Sequence, residues 1–275
     1  MGGRIVARPI RSARNPLVFC LCLFLVAAVA RAQKPAESNA LPPPDTSIPF
    51  NPHDLSGVWD YYNRIPGQGI YVTPSKDMPP LTAWGKARFD ANKPGYGPRA
   101  QPGGNDPMLE CVPTGIPKIL FMVLPHEIVQ TPDRTLMFFE REHAWREIWT
   151  DGRQHPKDLE PTYMGDSIGW WEGDTFVVDS VGFNDKTWLD FYGSPHSDQL
   201  HLIERYRRLD YKTLLMNLVI DDPKTYTRTW VSDNKIYKLL PPKFSNMEEL
   251  FCIPSEEESF TKRIRMPAVP KPEKK

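Results

Sequence analysis

The sequence lacks most of the motifs that mark the large functional classes. It contains no H-E-x-x-H zinc motif, no Walker phosphate-binding loop and no G-x-G-x-x-G dinucleotide fingerprint. It has only four cysteines and no C-x-x-C pair, which argues against a structural zinc site. A mean hydropathy of −0.48 and a single long apolar run exclude a multi-spanning membrane protein.

The single apolar run, residues 17–30, lies near the N-terminus and is typical of an export signal. Four arginines precede it, and Ala30 and Ala32 occupy the two positions that a signal peptidase reads. We therefore predict a signal peptide over residues 1–32, a secreted or periplasmic location and no stable membrane insertion of the mature chain. A retained membrane anchor is the alternative.

An excess of positive charge is also missing. Lys plus Arg and Asp plus Glu balance at 34 each, and five of the arginines lie in the predicted signal. The mature chain would therefore carry 29 basic and 34 acidic residues. Because this leaves no basic surplus, nucleic acid is not a predicted partner.

Cleavage of the signal would leave Cys111 and Cys252 as the only cysteines. Two cysteines in an oxidising compartment most simply form one disulfide, which is the prediction here. Two buried free thiols or a metal-binding pair are the alternatives.

Composition divides the mature chain into three parts. Residues 33–54 form a Pro-rich leader, residues 55–255 form one domain with a Gly/Pro-rich insertion at residues 63–115, and residues 256–275 form a tail predicted to be disordered. Within the insertion, a helix is expected over residues 82–92 with Thr82 as its N-cap.

Beyond residue 115, short strand-like segments alternate with turn residues about every ten positions, a pattern typical of an antiparallel meander. The first such segment is residues 120–123, and a hairpin turn is expected at Asp233-Asn234. Nine or ten strands must close or pack face to face to protect their edges. We predict an all-β fold: an antiparallel meander that closes into a lipocalin-like barrel, with one or two short helices.

Gly57-Val58-Trp59, at the start of the first strand, resembles the G-x-W motif of lipocalin-type barrels. The resemblance implies that Trp59 closes the barrel floor and that an arginine from a late strand packs on it. Arg228 is the candidate for that arginine.

Residues 171–179, with the pattern W-E-G-D-T-x-V-V-D, and the string P-H-S at residues 195–197 resemble an uncharacterised family of secreted bacterial β-rich proteins. The similarity covers residues 55–255. It implies export and a β-rich fold, and it assigns no catalytic residue.

Polar side chains concentrate between residues 151 and 208, and four of the six histidines lie within residues 143–201. Strand alternation places His201 and Arg205 on one face and Glu204 on the other. One of these faces must point into the barrel, where a buried Glu204 or Arg205 would need a partner or a ligand.

One hypothesis for this region is acid–base catalysis, because a histidine titrates near neutrality. His196 or His201 would act as the base, Asp190 would orient it and Arg205 would stabilise an oxyanion. The candidate catalytic residues are His196, Asp190, His201, Arg205 and Glu204.

A metal site formed by His196, His201 and Glu204 is a weaker hypothesis. The spacing matches no standard motif, and His201 and Glu204 face opposite sides of a strand. We therefore predict neither a metal nor another cofactor. A salt-bridge network that only stabilises the long loop is a further interpretation.

The expected ligand-binding residues are polar or aromatic side chains of the same region: Asn184, Trp188, Tyr192, Asp151, Arg153 and His155. The leading prediction is an exported lipocalin-like protein that binds a small, largely apolar molecule. The alternatives are a cofactor-free acid–base enzyme on the same barrel (a hydratase, isomerase or hydrolase) and an envelope interaction protein. An enclosed cavity with His196 or His201 facing inward would favour binding or catalysis, and a filled barrel would favour interaction.

Overall fold

The computed structural model describes residue 41, residues 43–61 and residues 71–265. The predicted signal peptide lies outside these residues, as do parts of the predicted leader, insertion and tail. Within the described residues the chain forms ten strands and two short α-helices. The strands are β1 Gly57–Asp60, β2 His126–Gln130, β3 Arg134–Phe139, β4 Trp145–Trp149, β5 Asp166–Glu172, β6 Thr175–Val181, β7 His201–Asp210, β8 Thr213–Asp221, β9 Trp230–Val231 and β10 Lys235–Leu239. The helices are α1 Ala83–Ala91 and α2 Pro254–Phe260.

The strands close into a barrel, as predicted. Strands β1 to β8 are neighbours in chain order, and β10 pairs with both β8 and β1, so nine strands form a closed ring. One pair departs from the expected antiparallel meander: β4 and β5 are parallel and meet at Trp149 and Ile168. The reason is the long connection at residues 150–165, which returns the chain to the end where β4 begins instead of forming a hairpin.

The prediction of a hairpin turn at Asp233-Asn234 is wrong. Strand β9 pairs Trp230 with Ile220 of β8, and β10 continues along the same β8 edge by pairing Lys235 with Met216. Residues 232–234 are therefore a bulge between two halves of one strand. The string resembled a hairpin because bulges and hairpins favour the same turn-forming residues.

The floor of the barrel is built around Trp59. The indole is fully buried, and its Nε1 donates to the carbonyl of Leu55 at 2.8 Å. The arginine over its ring is Arg208, with the guanidinium carbon 5.4 Å from the ring centroid. The choice of Arg228 was wrong, because Arg228 is exposed.

The other end of the barrel is covered by a cap, which we define as helix α1, the 3-10 turn Lys118–Phe121 and the loop 182–200 that joins β6 to β7. Helix α1 begins at the expected N-cap, where Thr82 Oγ1 accepts from the amide of Gly85. The prediction of a strand at residues 120–123 is wrong, since residues 120 and 121 end the buried 3-10 turn and residues 122 and 123 follow it without forming a strand. Tyr237 of β10 holds that turn by donating to the carbonyl of Leu120 at 2.8 Å.

Cys111 and Cys252 are bonded, which confirms the predicted disulfide. The bond joins residues 141 positions apart, and closing such a segment stabilises a fold by at most about 5 kcal/mol in the chain-entropy model. Just beyond Cys252, helix α2 and a π-helical turn, Thr261–Arg265, show helical structure in a part of the segment that was expected to be disordered. In the described part of the chain, no helix is long and apolar enough to cross a membrane.

Candidate functional site

Glu204 lies inside the barrel and is fully engaged there. Its carboxylate accepts two hydrogen bonds from Arg146, at 2.7 and 2.9 Å, and one from the hydroxyl of Tyr206 at 2.7 Å. Arg146 also donates to Ser167 and Ser180, and both partners of the ion pair are almost completely buried. Glu204 therefore has the partner that its burial required, and this network supports the barrel interior.

His201 and Arg205 lie on the outer face of β7. His201 Nε2 is 2.8 Å from Asp179, which also contacts His155 Nε2 at 3.3 Å, and His155 Nδ1 is 2.5 Å from Asp166. Arg205 is paired with Glu172 at 2.6 Å. The structure therefore brings His155 and His201 together but places them, with Arg205, outside the barrel and away from Glu204.

Asp151 and Arg153 are exposed in the connection between β4 and β5. They form a bidentate ion pair with each other, and the guanidinium of Arg153 lies 3.6 Å from the ring centroid of Trp149.

Among the described residues, no group of three or more His, Cys, Asp and Glu side chains could hold a metal ion.

Asp190 is fully buried in the loop 182–200. Its carboxylate accepts from Thr73 Oγ1 at 2.7 Å, from Ser194 Oγ at 2.8 Å and from the amides of Tyr192 and Ser194 at 2.9 Å each. Burial raises the pKa of this carboxyl, and the four hydrogen bonds oppose the increase. The predicted role of orienting His196 is not what the structure shows, because Asp190 instead ties the loop to residue 73.

His196 is oriented by the carbonyl of Ser197, which lies 3.2 Å from Nδ1. A carbonyl only accepts hydrogen bonds, so Nδ1 carries the proton and Nε2 is left as an acceptor. Nε2 lies 3.0 Å from Oγ1 of Thr187, and that hydroxyl donates to it. Burial lowers the pKa of His196, and the resulting neutral imidazole fits this arrangement.

Thr187 and His196 lie in the wall of a pocket of about 220 Å³ on the outer side of the cap. Helix α1 forms one side of the pocket and the loop 182–200 forms the other. The polar and aromatic residues of its wall include Arg88, Asn92, Lys186, Thr187, Trp188 and His196. Arg88 is 3.7 Å from Asp185, which also borders the pocket.

The other predicted residues of the loop have separate positions. Trp188 is buried in the pocket wall, with Lys118 Nζ 5.2 Å from its ring centroid. Asn184 lies at the start of the loop and accepts from the amide of Lys186. Tyr192 borders a separate, smaller pocket of about 70 Å³, beside Thr73, Ser194 and Phe89 of α1.

The sequence reasoning missed Thr187, Arg88 and Lys186. No motif marks them, since Thr187 is recognisable only by its contact with His196 and Arg88 comes from a helix about a hundred residues away. It also missed two buried lysines, one in the cap and one in β10. Lys118 pairs with Asp106, while Lys235 donates to the carbonyl of Thr73 at 2.8 Å, and burial lowers the pKa of Lys235 to about 7.

Residues 165–169 match G-x-S-x-G, the spacing of the nucleophile elbow of serine hydrolases. That motif requires a serine on a sharp turn between a strand and a helix. Ser167 instead lies within β5 and is buried, and its hydroxyl accepts from Arg146 at 3.1 Å. The match therefore does not mark a nucleophile.

Comparison with known proteins finds no relative of this chain: no family model, no curated protein and no solved structure matches it.

Proposed function

We propose that this protein is an exported β-barrel that binds a small organic molecule in the cap pocket of about 220 Å³. The observation that carries the proposal is the pocket itself, because its wall contains two of the residues that the sequence singled out, Trp188 and His196. Both are held in place: His196 by hydrogen bonds on both ring nitrogens, and Trp188 by burial. Fixed side chains around a concave surface are typical of binding sites.

The proposed position differs from the barrel lumen that a lipocalin-like protein would use. Large side chains occupy the lumen, including Trp59, Tyr61, Tyr206 and Tyr237, which are each no more than 2% exposed and belong to one buried cluster. A filled barrel is the outcome expected of the envelope interaction alternative, so the binding proposal rests on the cap pocket and not on the lumen. The cap pocket is open to solvent and has its own polar wall, so it is the better candidate for a site.

The charges around the pocket favour a polar ligand over the largely apolar one first expected. Arg88 and Lys186 are cations, Asp185 is the one acidic side chain among the described residues that line the pocket, and the lowered pKa keeps His196 neutral. The surplus positive charge favours an organic anion, with Trp188 offering an aromatic surface to its carbon atoms.

One observation supports export. The disulfide between Cys111 and Cys252 fits an oxidising compartment.

Titration of the full chain with benzoate in a calorimeter tests the binding proposal. We expect a dissociation constant below about 1 mM, which corresponds to roughly −4 kcal/mol. Benzylamine, of nearly the same shape but opposite charge, should bind at least about tenfold more weakly.

A matched pair of variants on α1 locates the site. Ala91 is exposed and borders the pocket, so Ala91→Phe should fill it and abolish benzoate binding. Ala87 is exposed on the same helix and does not border the pocket. Because a helical side chain leans toward the N-terminus of its helix, a phenylalanine at this position should point away from the pocket. Ala87→Phe should therefore bind benzoate as tightly as the unaltered chain does. Equal binding by both variants, or none by the unaltered chain up to about 10 mM benzoate, would refute the proposal.

A further inference from the structure

We propose that the cap pocket is also a site of ester hydrolysis, with Thr187 as the nucleophile and His196 as the general base. The inference rests on the proposed binding function, because the substrate must occupy the same pocket. It assigns a role to a hydroxyl that no sequence motif marks.

The geometry is that of an activated alcohol. Such sites need a hydroxyl within hydrogen-bond reach of a base, and a third group that fixes the base. Thr187 Oγ1 lies 3.0 Å from His196 Nε2, and the carbonyl of Ser197, 3.2 Å from Nδ1, holds the imidazole in the tautomer that can accept the proton. The carbonyl fills the place that a carboxylate has in a Ser-His-Asp triad.

The surroundings of Thr187 favour a reactive hydroxyl over one that only stabilises the loop 182–200. Thr187 and His196 both border the pocket, although only 7% and 2% of their surfaces are exposed, so the pocket is the route by which a substrate carbonyl would reach the hydroxyl. Two cations, Arg88 and Lys186, border the same pocket, and positive charge stabilises the oxyanion that forms when an ester carbonyl is attacked.

The steps balance without a cofactor. Oγ1 of Thr187 bonds to the acyl carbon while its proton passes to Nε2 of His196, and collapse of the tetrahedral intermediate breaks the bond to the leaving alcohol, which takes that proton. Water then attacks the acyl-threonine, again giving its proton to Nε2, and Oγ1 leaves with the proton as the hydroxyl is restored. The products are an alcohol and a carboxylic acid, and the carboxylate is the class of ligand that the pocket charges favour.

The base must be neutral to work. Burial lowers the pKa of His196 from its ordinary value of 6.5, and Arg88 contributes in the same direction, while the hydrogen bond to the Ser197 carbonyl and the charges of Asp222 and Asp185 oppose the decrease. Hydrolysis should therefore stay constant at neutral pH and fall only as the pH drops through an inflection below 6.5.

Hydrolysis of p-nitrophenyl acetate by the full chain tests the inference, with Thr187→Val and Thr187→Ser as the decisive pair. Valine has the shape of threonine without the hydroxyl, and serine keeps the hydroxyl, so the first should lose at least about 100-fold in turnover and the second should retain it. Near- and far-ultraviolet circular dichroism spectra of Thr187→Val that match those of the unaltered chain show that the variant is folded.

Mass spectrometry of the unaltered chain after a short exposure to the ester provides a second measurement. We expect one acetyl group on the peptide that contains Thr187, and none after His196→Asn. Acetylation confined to Lys235 or to surface lysines, or equal turnover by Thr187→Val and the unaltered chain, would overturn the inference. Benzoate binding without any turnover would overturn it as well while leaving the proposed binding function intact.

Discussion

Replacement of Arg146 by Met should destabilise the barrel strongly, because it leaves a carboxylate unpaired in the interior. Arg146 is 2% exposed and supplies two of the three hydrogen bonds that Glu204 accepts. After the change, Glu204 keeps the hydrogen bond from the Tyr206 hydroxyl but loses both of those from Arg146, and its side chain has no contact with solvent. Removing one partner of a buried ion pair costs about 3–5 kcal/mol.

That loss corresponds to a decrease in melting temperature of about 6–20 °C, since a chain of this size shifts by roughly 2–4 °C for each kcal/mol. Urea denaturation followed by circular dichroism, with the disulfide intact, measures the free energy of unfolding directly. Benzoate binding at low temperature should be unchanged, because Arg146 and Glu204 do not border the cap pocket.

The double variant Arg146→Met with Glu204→Leu distinguishes an unpaired charge from lost packing. Replacing a whole buried pair with apolar side chains is often neutral, although Ser167, Ser180 and Tyr206 would each lose a charged partner here. We expect the double variant to recover more than half of the loss. A single variant within about 1 kcal/mol of the unaltered chain, or a double variant less stable than the single one, would refute the reasoning.

Three further predictions concern other buried groups. Trp59→Ala should lower the free energy of unfolding by about 3–5 kcal/mol, as urea denaturation would measure, whereas exposed Arg228→Ala should leave it within about 0.5 kcal/mol. Asp190→Asn should lower the melting temperature in a thermal scan, because the amide nitrogen cannot accept the hydrogen bonds that the carboxylate accepts; an unchanged melting temperature would contradict its role in holding the loop. His126 should make the fold sensitive to acid, because burial lowers its pKa from 6.5 to about 4. The unfolded chain therefore binds a proton at a higher pH than the folded chain does. As a result, the free energy of unfolding should fall by up to about 3 kcal/mol as the pH drops from 6.5 to 4. Urea denaturation at several pH values should show that His126→Phe reduces this dependence, and an identical dependence in the variant would exclude His126 as its source.

Local pattern was enough to predict the class of fold. The period of two along β7, turn residues between apolar segments and the G-x-W at Trp59 all act over a few neighbouring residues, and the structure confirms the barrel they indicated. The disulfide followed from counting cysteines after the predicted cleavage. Helix α1 followed from Thr82, because an N-cap is a contact between residues three positions apart.

The details that decide the site come from contacts between distant segments. The sequence pattern does not show that β5 returns parallel to β4, that residues 232–234 bulge instead of turning, or that Arg208 is the arginine over Trp59. Register and closure depend on how all nine strands share one ring of hydrogen bonds, which no short window contains.

The sequence by itself determined that polar and aromatic residues gather in the loop 182–200, and only the tertiary structure decided what each of them does. Asp190 contacts Thr73, 117 positions away, and this long-range contact makes it a support for the loop. His196 meets Thr187 and shares a pocket wall with Arg88 because helix α1 packs beside the loop. Composition identifies which chemical groups are present, but the distance between them depends on the path of the whole chain, and hydrogen bonding and catalysis depend on that distance.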